Sequence, residues 1–398
     1  MFDYKRIAIW AAVLVCACTA AQTEPGWSVD ARPVFEEMDE EYCWFHPRAV
    51  AIPGGPAIMT LQKHLMSASD YYSGLYTMRS EDGGKTWSRP EARPTLGWRD
   101  EGEGVTWAVC DVTPGWHPPT GKALAIGIAV RYVNGKQAKA PSPRETAYAV
   151  YDPKEDAWGT WQILEMPDAD LFYAVGAGCT QWTVDTDGTL LVPVYGWSSA
   201  QASECCAMAT VLRCGFDGER MRYIAHGDEL RLDVPRGFCE PSVVRHGGRY
   251  YLTLRNDVKG YVTRGEDGLH FEAPRPWTFD DGTELGSYNT QQHWFTLEDG
   301  LYLAYTRRGA DNDEIFRHRA PLFAGRVDTD RLCVLRGTEQ VVIPNRGATL
   351  GNFGVCQVSD REAWVTAGEG MFRKETCEKG GATGAVWVGR VTAAQAGL

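Results

Sequence analysis

The sequence predicts an all-β chain folded as a single six-bladed β-propeller. Three observations predict it. An apolar run, a turn built on Asp-Gly or Gly-Gly, and a second apolar run recur six times. Glycine and aromatic residues are abundant, with 43 Gly, 15 Trp and 17 Tyr in 398 residues, which suits hairpin turns and sheet cores. No long stretch carries helical periodicity.

In chain order, the first segment reads as a targeting signal. Lys5 and Arg6 precede an apolar run from Ile7 to Val15, and small residues follow through Ala21. That run is shorter than the roughly 20 residues a membrane-spanning helix needs. Val15-Cys16-Ala17-Cys18 also resembles a bacterial lipobox. Residues 1–21 are expected to be a signal peptide, with cleavage after Ala21 or a lipid anchor at Cys18. The mature chain, 22–398, is expected to be exported: periplasmic, secreted or lipid-anchored at a bacterial cell surface. Losing Asp3, Lys5 and Arg6 moves the net charge from −12 to −13.

The six hairpins follow. Arg48–Gln62 turns on Pro53-Gly54-Gly55, and Trp107–Arg131 on the longer loop His117–Gly121. Gln181–Trp197 turns on Asp187-Gly188, Pro241–Asn256 on Gly247-Gly248, His293–Arg307 on Asp299-Gly300, and Gly354–Glu369 on Asp360-Arg361. Each is alternation, a turn dipeptide, then alternation. Divided among six copies, the mature chain gives roughly 60 residues per blade. No linker or second domain interrupts them. Seven residues beyond the second turn residue lie Gln62, Tyr195, Arg255 and Arg307. Equivalent positions of a closed propeller face the same axial region, so these side chains are expected to converge on one pocket.

Ser80-Glu81-Asp82-Gly83-Gly84-Lys85-Thr86-Trp87 has the form S-x-D-x-G-x-T-W, the Asp-box of the bacterial neuraminidase repeat. It predicts a tight turn in which Asp82 bonds the backbone, the glycines supply positive φ, and Trp87 packs beneath. Gly265–Phe271 is a shorter copy without the Ser, and Tyr151–Trp161 is a worn third.

With this motif and six hairpins the chain resembles the sialidase (neuraminidase) superfamily, nearest to glycoside hydrolase family 33, over about Tyr42 to Val388. The resemblance implies a six-bladed propeller and an exo-glycosidase that holds a sialic acid carboxylate with three arginines. It further implies a Glu-assisted Tyr nucleophile and an Asp acid/base. Arg48, in Phe45-His46-Pro47-Arg48-Ala49-Val50-Ala51-Ile52-Pro53, matches the first arginine. Asp70 holds the acid/base position. Glu240, leading to Leu254-Arg255-Asn256, matches the glutamate and second arginine. Arg319 is the candidate third arginine, with Arg307 and Arg317 as rivals. The tyrosine position falls on Asn352, which cannot form the covalent intermediate. Tyr195, Tyr288 and Tyr305 are the candidates to replace it.

The residue types point the same way. A guanidinium pairs a carboxylate through two parallel hydrogen bonds, so clustered arginines favour an anionic sugar. His46, with His64 and His293 as further histidines beside hairpins, supports two rivals: a polysaccharide lyase, or another glycosidase, using His46 as base. A non-catalytic glycan-binding propeller is the third class. The acidic balance argues against a nucleic-acid partner. Ten cysteines follow the signal, an even number that permits disulfides in an oxidising compartment. Cys110 and Cys356 lie in apolar runs and read equally as small buried hydrophobes. Asp311-Asn312-Asp313-Glu314 lacks calcium-loop spacing and reads as a solvated loop. Gly83-Gly84-Lys85-Thr86 lacks the first glycine of a phosphate loop. No cofactor or metal is called for by any motif.

Overall fold

The structure is a computed structural model and describes residues 26–66, 73–138, 142–201, 206–298 and 300–394. The signal segment with Cys18, and Asp70, lie outside the described residues. The described residues are nearly all β, with one α-helix of six residues, Lys374–Lys379. Among the described residues no helix is long and apolar enough to cross a membrane.

The strands fall into six sheets in a β-propeller arrangement. The first holds Tyr42–Ala51, Ala57–Leu65, Tyr76–Ser80 and Glu91–Ala92. The second is built on Val105–His117 and Lys122–Val133, the third on Leu190–Trp197 and Cys206–Phe216. The fourth pairs Cys239–His246 with Arg249–Arg255, and the fifth pairs His293–Leu297 with Gly300–Tyr305. The sixth joins Gly354–Gln357, Glu362–Gly368 and Val386–Ala393 to the N-terminal strand Trp27–Phe35. First and last strands thus close one sheet and leave no open seam between the ends.

Strand alternation explains the core. In Gly300–Tyr305, Leu301, Leu303 and Tyr305 pack towards the fourth sheet, and Tyr302 and Ala304 towards the sixth. A strand buried on both faces reads as a continuous apolar run. One large apolar cluster lies between each consecutive pair of sheets. Another joins Met59 and Met78 of the first sheet to Trp364 and Val388 of the sixth.

The Ser80–Trp87 turn has its expected bonds. Asp82 Oδ1 accepts from Ser80 Oγ (2.9 Å), Lys85 N (3.1 Å) and Thr86 N (2.9 Å). These bonds hold its carboxyl down at about 2, the Thr86 amide being the largest cause. Gly84 has φ +78°, and a Cβ there would stand 2.6 Å from the Trp364 ring of the sixth sheet. Trp87 meets Trp364 edge-on at 6.0 Å. Asp267 accepts from Leu269 N and His270 N in the equivalent turn of the fourth sheet. Asp217 and Asp328 do the same in the third and fifth, without a motif to announce them.

Every described cysteine is a free thiol: Cys43, Cys110, Cys179, Cys206, Cys214, Cys239, Cys333, Cys356 and Cys377. Disulfides are therefore absent among the described residues, and Cys110 and Cys356 are buried as small hydrophobes. Asn312 is buried within its loop and donates to three carbonyls, those of Arg307, His318 and Ala320.

Candidate functional site

A cleft of about 590 Å³ opens where strands of the first four sheets meet connecting segments of the fifth and sixth. Its floor comes from a repeated backbone irregularity. The register slips between Phe45 and Arg48, between Cys110 and Thr113, and between Cys239 and Ser242. The residues inserted there, His46, Asp111 and Glu240, are left-handed, with φ of 51°, 56° and 43°. Cys179 (φ 59°) and Asn352 (φ 63°) take the same place in the third and sixth sheets. Each precedes by two a strand position corresponding to Arg48, and the direct bridge of Gln181 to Ser242 fixes the correspondence. Gln291, two residues before His293, completes the ring. Such a bulge re-aims one side chain while the strand continues. Left-handed backbone at Glu and Cys is unfavourable and persists only where surroundings enforce it.

The ring members touch one another. His46 Nδ1 lies 3.1 Å from Asp111 Oδ1. His46 Nε2 lies 3.9 Å from Cys179 Sγ, which is 4.0 Å from Asn352 Oδ1. Gln291, its amide turned so that nitrogen faces Glu240 Oε2 (3.2 Å), accepts from Asn352 N and Phe353 N at 3.2 Å each. Burial, then Arg48 and His64, holds His46 well below the usual histidine range, so it is a neutral imidazole. Burial and then Asp111 push Cys179 well above the usual thiol range.

Six arginines line the cleft, Arg255 and Arg319 among them. Arg255 donates to Glu240 Oε1, to Asp257 Oδ1 (3.1 Å) and to Asn289 Oδ1 (2.9 Å). Burial works against its charge, but facing Glu240 overrides this and raises its pKa. Arg319 donates to the Asn289 carbonyl, and its buried Nε has no hydrogen-bond partner. Burial, then Arg255 and Arg317, pulls Arg319 down to about 9, still a cation at neutral pH. Among the described residues no carboxylate lies within ion-pair distance of it.

The other expected site residues divide. Tyr195 lines the cleft and is the one tyrosine among its described lining residues. Burial, then the Glu240 charge, raises its hydroxyl well above the usual range. Arg317 also lines the cleft, as does His64. Arg48 does not. It is 1% exposed beneath the floor and donates to carbonyls of Phe353 (3.2 Å), Asp111 (3.0 Å) and Val112 (3.2 Å). Arg48, expected to grip substrate, thus lies under the ring, where it links the first and second sheets to Phe353, just before the sixth. Gln62 is likewise a support, its Oε1 accepting from Asp111 N at 3.2 Å.

Arg307 and Tyr305 also lie away from the cleft. Arg307 Nη2 and Nε bond Glu339 at 2.7 and 2.9 Å, and Tyr305 donates to Glu339 Oε2 at 2.5 Å. The cause is register. Leu297 pairs with Gly300, so Gly300 already belongs to the returning strand. Counting seven from it overshoots by one residue, which reverses the face. Tyr288 donates towards, or accepts from, His318 Nδ1 at 2.5 Å and is outside the cleft lining. His293 is buried with Nδ1 on Ser242 Oγ at 2.9 Å.

The architecture is therefore a sialidase-like β-propeller fold. No protein-family model matches the sequence, and no curated protein matches it. Solved structures do match in fold. A protein of unknown function from Dyadobacter fermentans has TM-score 0.61 and 13% identity, over 93% of this chain and 100% of that chain. The Hadza microbial sialidase Hz136 has TM-score 0.57 and 13% identity, over 89% of this chain and 66% of its own. The phage phi92 endosialidase has TM-score 0.58 and 12% identity, over 93% of this chain and 70% of its own. The chain thus spans about two thirds of the length of these two enzymes.

Proposed function

We propose that the chain is an exported, sialidase-like glycoside hydrolase, its six sheets being six blades, that releases a terminal acidic sugar. Arg319 is the observation that carries this reading. A buried cation without a carboxylate partner is unfavourable by itself, and here it stands beside a second arginine at the wall of a cleft. A sugar carboxylate would accept two parallel hydrogen bonds and supply the missing charge. The protein is acidic overall, with a formal charge of −12, so attraction for an anion must be local.

Glu240 and Tyr195 supply the chemistry. Tyr195 attacks the anomeric carbon as its phenolic proton passes to Glu240, and the glycosidic bond breaks with the leaving oxygen protonated by Asp70. Water then attacks the sugar and gives its proton to Asp70, and the tyrosine oxygen leaves, regaining its proton from Glu240. Tyr195 thereby fills the part left open by Asn352. A lyase using His46 is less favoured, because Nδ1 and Nε2 already face Asp111 and Cys179.

The test is sugar release from a sialylated glycan and from an aryl sialoside. Release should fall at least about 100-fold in Arg319→Ala and in Tyr195→Phe. Binding of acidic glycans with no release by the wild type would instead make the chain a glycan-binding propeller.

A further inference from the structure

The ring carries a donor set that sugar hydrolysis does not require. His46, Asp111 and Cys179 each offer one ligand atom, and these atoms lie within 4.8 Å of one another. They are an imidazole nitrogen, a carboxylate oxygen and a sulfur. Calcium and magnesium take oxygen donors, whereas mixed N, O and S donors suit zinc and similar borderline-soft cations. We propose that His46, Asp111 and Cys179, with Asn352 Oδ1 as fourth donor, bind one zinc-like divalent cation at the floor of the cleft.

Spacing supports the assignment. Bonds of about 2.0–2.3 Å in a tetrahedral site put neighbouring ligand atoms roughly 3.4–3.8 Å apart. Cys179 Sγ stands 3.9 Å from His46 Nε2 and 4.0 Å from Asn352 Oδ1, a few tenths of an ångström beyond that spacing. Asp111 Oδ1 faces His46 Nδ1 at 3.1 Å, so its carboxylate must turn from Nδ1 to join a cation held by Nε2 on the sulfur side. Preorganisation supports it too. All four donors come from left-handed ring positions in four different sheets. Arg48 bonds the carbonyl of Asp111 and that of Phe353, the neighbour of Asn352. On binding, the Cys179 thiol proton leaves to solvent, and thiolate plus carboxylate neutralise the dication. His46, Asp111, Cys179 and Asn352 all line the cleft, so the cation would be reached from it.

The full chain, stripped with chelator, is titrated with Co²⁺ and then Zn²⁺. One equivalent should bind and give a thiolate-to-cobalt charge-transfer absorption that Zn²⁺ abolishes. Cys179→Ser should lose the absorption and weaken Zn²⁺ binding by about 100-fold or more, given that even outer-shell losses reach 10–100-fold. Cys356→Ser, remote from the ring, should keep both. If Cys179→Ser does not fold, alkylation of wild-type Cys179 mapped by mass spectrometry should be suppressed by one equivalent of Zn²⁺. Absence of the absorption, its persistence in Cys179→Ser, or unchanged Cys179 alkylation would overturn the site. None of these readouts uses a glycan, so failure here is distinct from failure of the hydrolase reading.

Discussion

Arg255 and Arg319 share one residue, Asn289: its Oδ1 accepts from Arg255 Nη2 at 2.9 Å, and its carbonyl accepts from Arg319 Nη2. The two guanidinium groups are thereby fixed side by side, yet only Arg255 has carboxylate partners. The asymmetry predicts that Arg319 serves binding rather than stability. Arg319→Met should leave the melting temperature unchanged or raise it, since it removes an unpaired buried cation. The same change should abolish acidic-sugar binding. Calorimetric melting and sugar titration on one preparation check both halves.

Arg48 should do the reverse. Its replacement by Met orphans carbonyls of Phe353, Asp111 and Val112. Hydrogen bonds to a charged group contribute about 1.5–3 kcal/mol each, so a loss of roughly 3 kcal/mol or more is expected in denaturant unfolding. A stable Arg48→Met that merely loses sugar affinity would return Arg48 to the substrate.

Tyr195 and Tyr305 separate by activity. Tyr195→Phe keeps the fold and loses sugar release. Tyr305→Phe leaves Glu339 Oε2 with one partner fewer, so it should be destabilised by about 1–3 kcal/mol with release intact. Rates and unfolding midpoints of the two variants decide it.

Acid stability should show the Asp82 turn. The folded carboxyl titrates near 2 against an ordinary 3.8. Between those values the unfolded chain binds the extra proton, so the contribution is present above about pH 4 and is lost as pH falls towards 2. Asp82→Asn should be less stable than wild type at neutral pH and should lose less on acidification. Parallel unfolding curves at pH 7 and pH 3 measure this. Equal pH dependence in both proteins would contradict it.

Reductant should leave the melting temperature unchanged, because all nine described cysteines are free thiols. A drop of several degrees with dithiothreitol would reveal a bridge.

Alternation and turn dipeptides exposed the hairpins because both are local. The Ser80–Trp87 turn was legible for the same reason, and Glu240 with Arg255 because one hairpin holds both. The ring was not legible. It is made by single inserted residues, and a bulge changes which face a side chain takes without altering the apolar pattern around it. His46 and Cys179 are 133 positions apart, so no spacing motif joins them. Arg307 shows how narrow the margin is, since one residue of turn register moved it from the cleft to Glu339.

Whether Arg319 binds a carboxylate is decided by titrating the protein with free N-acetylneuraminic acid and with its methyl ester. The acid should bind and the ester should bind at least about 10-fold more weakly, matching the roughly 1.5–3 kcal/mol of a charge-assisted hydrogen bond. Equal affinity for acid and ester, or an acid affinity unchanged in Arg319→Met, would show that Arg319 does not hold the sugar carboxylate.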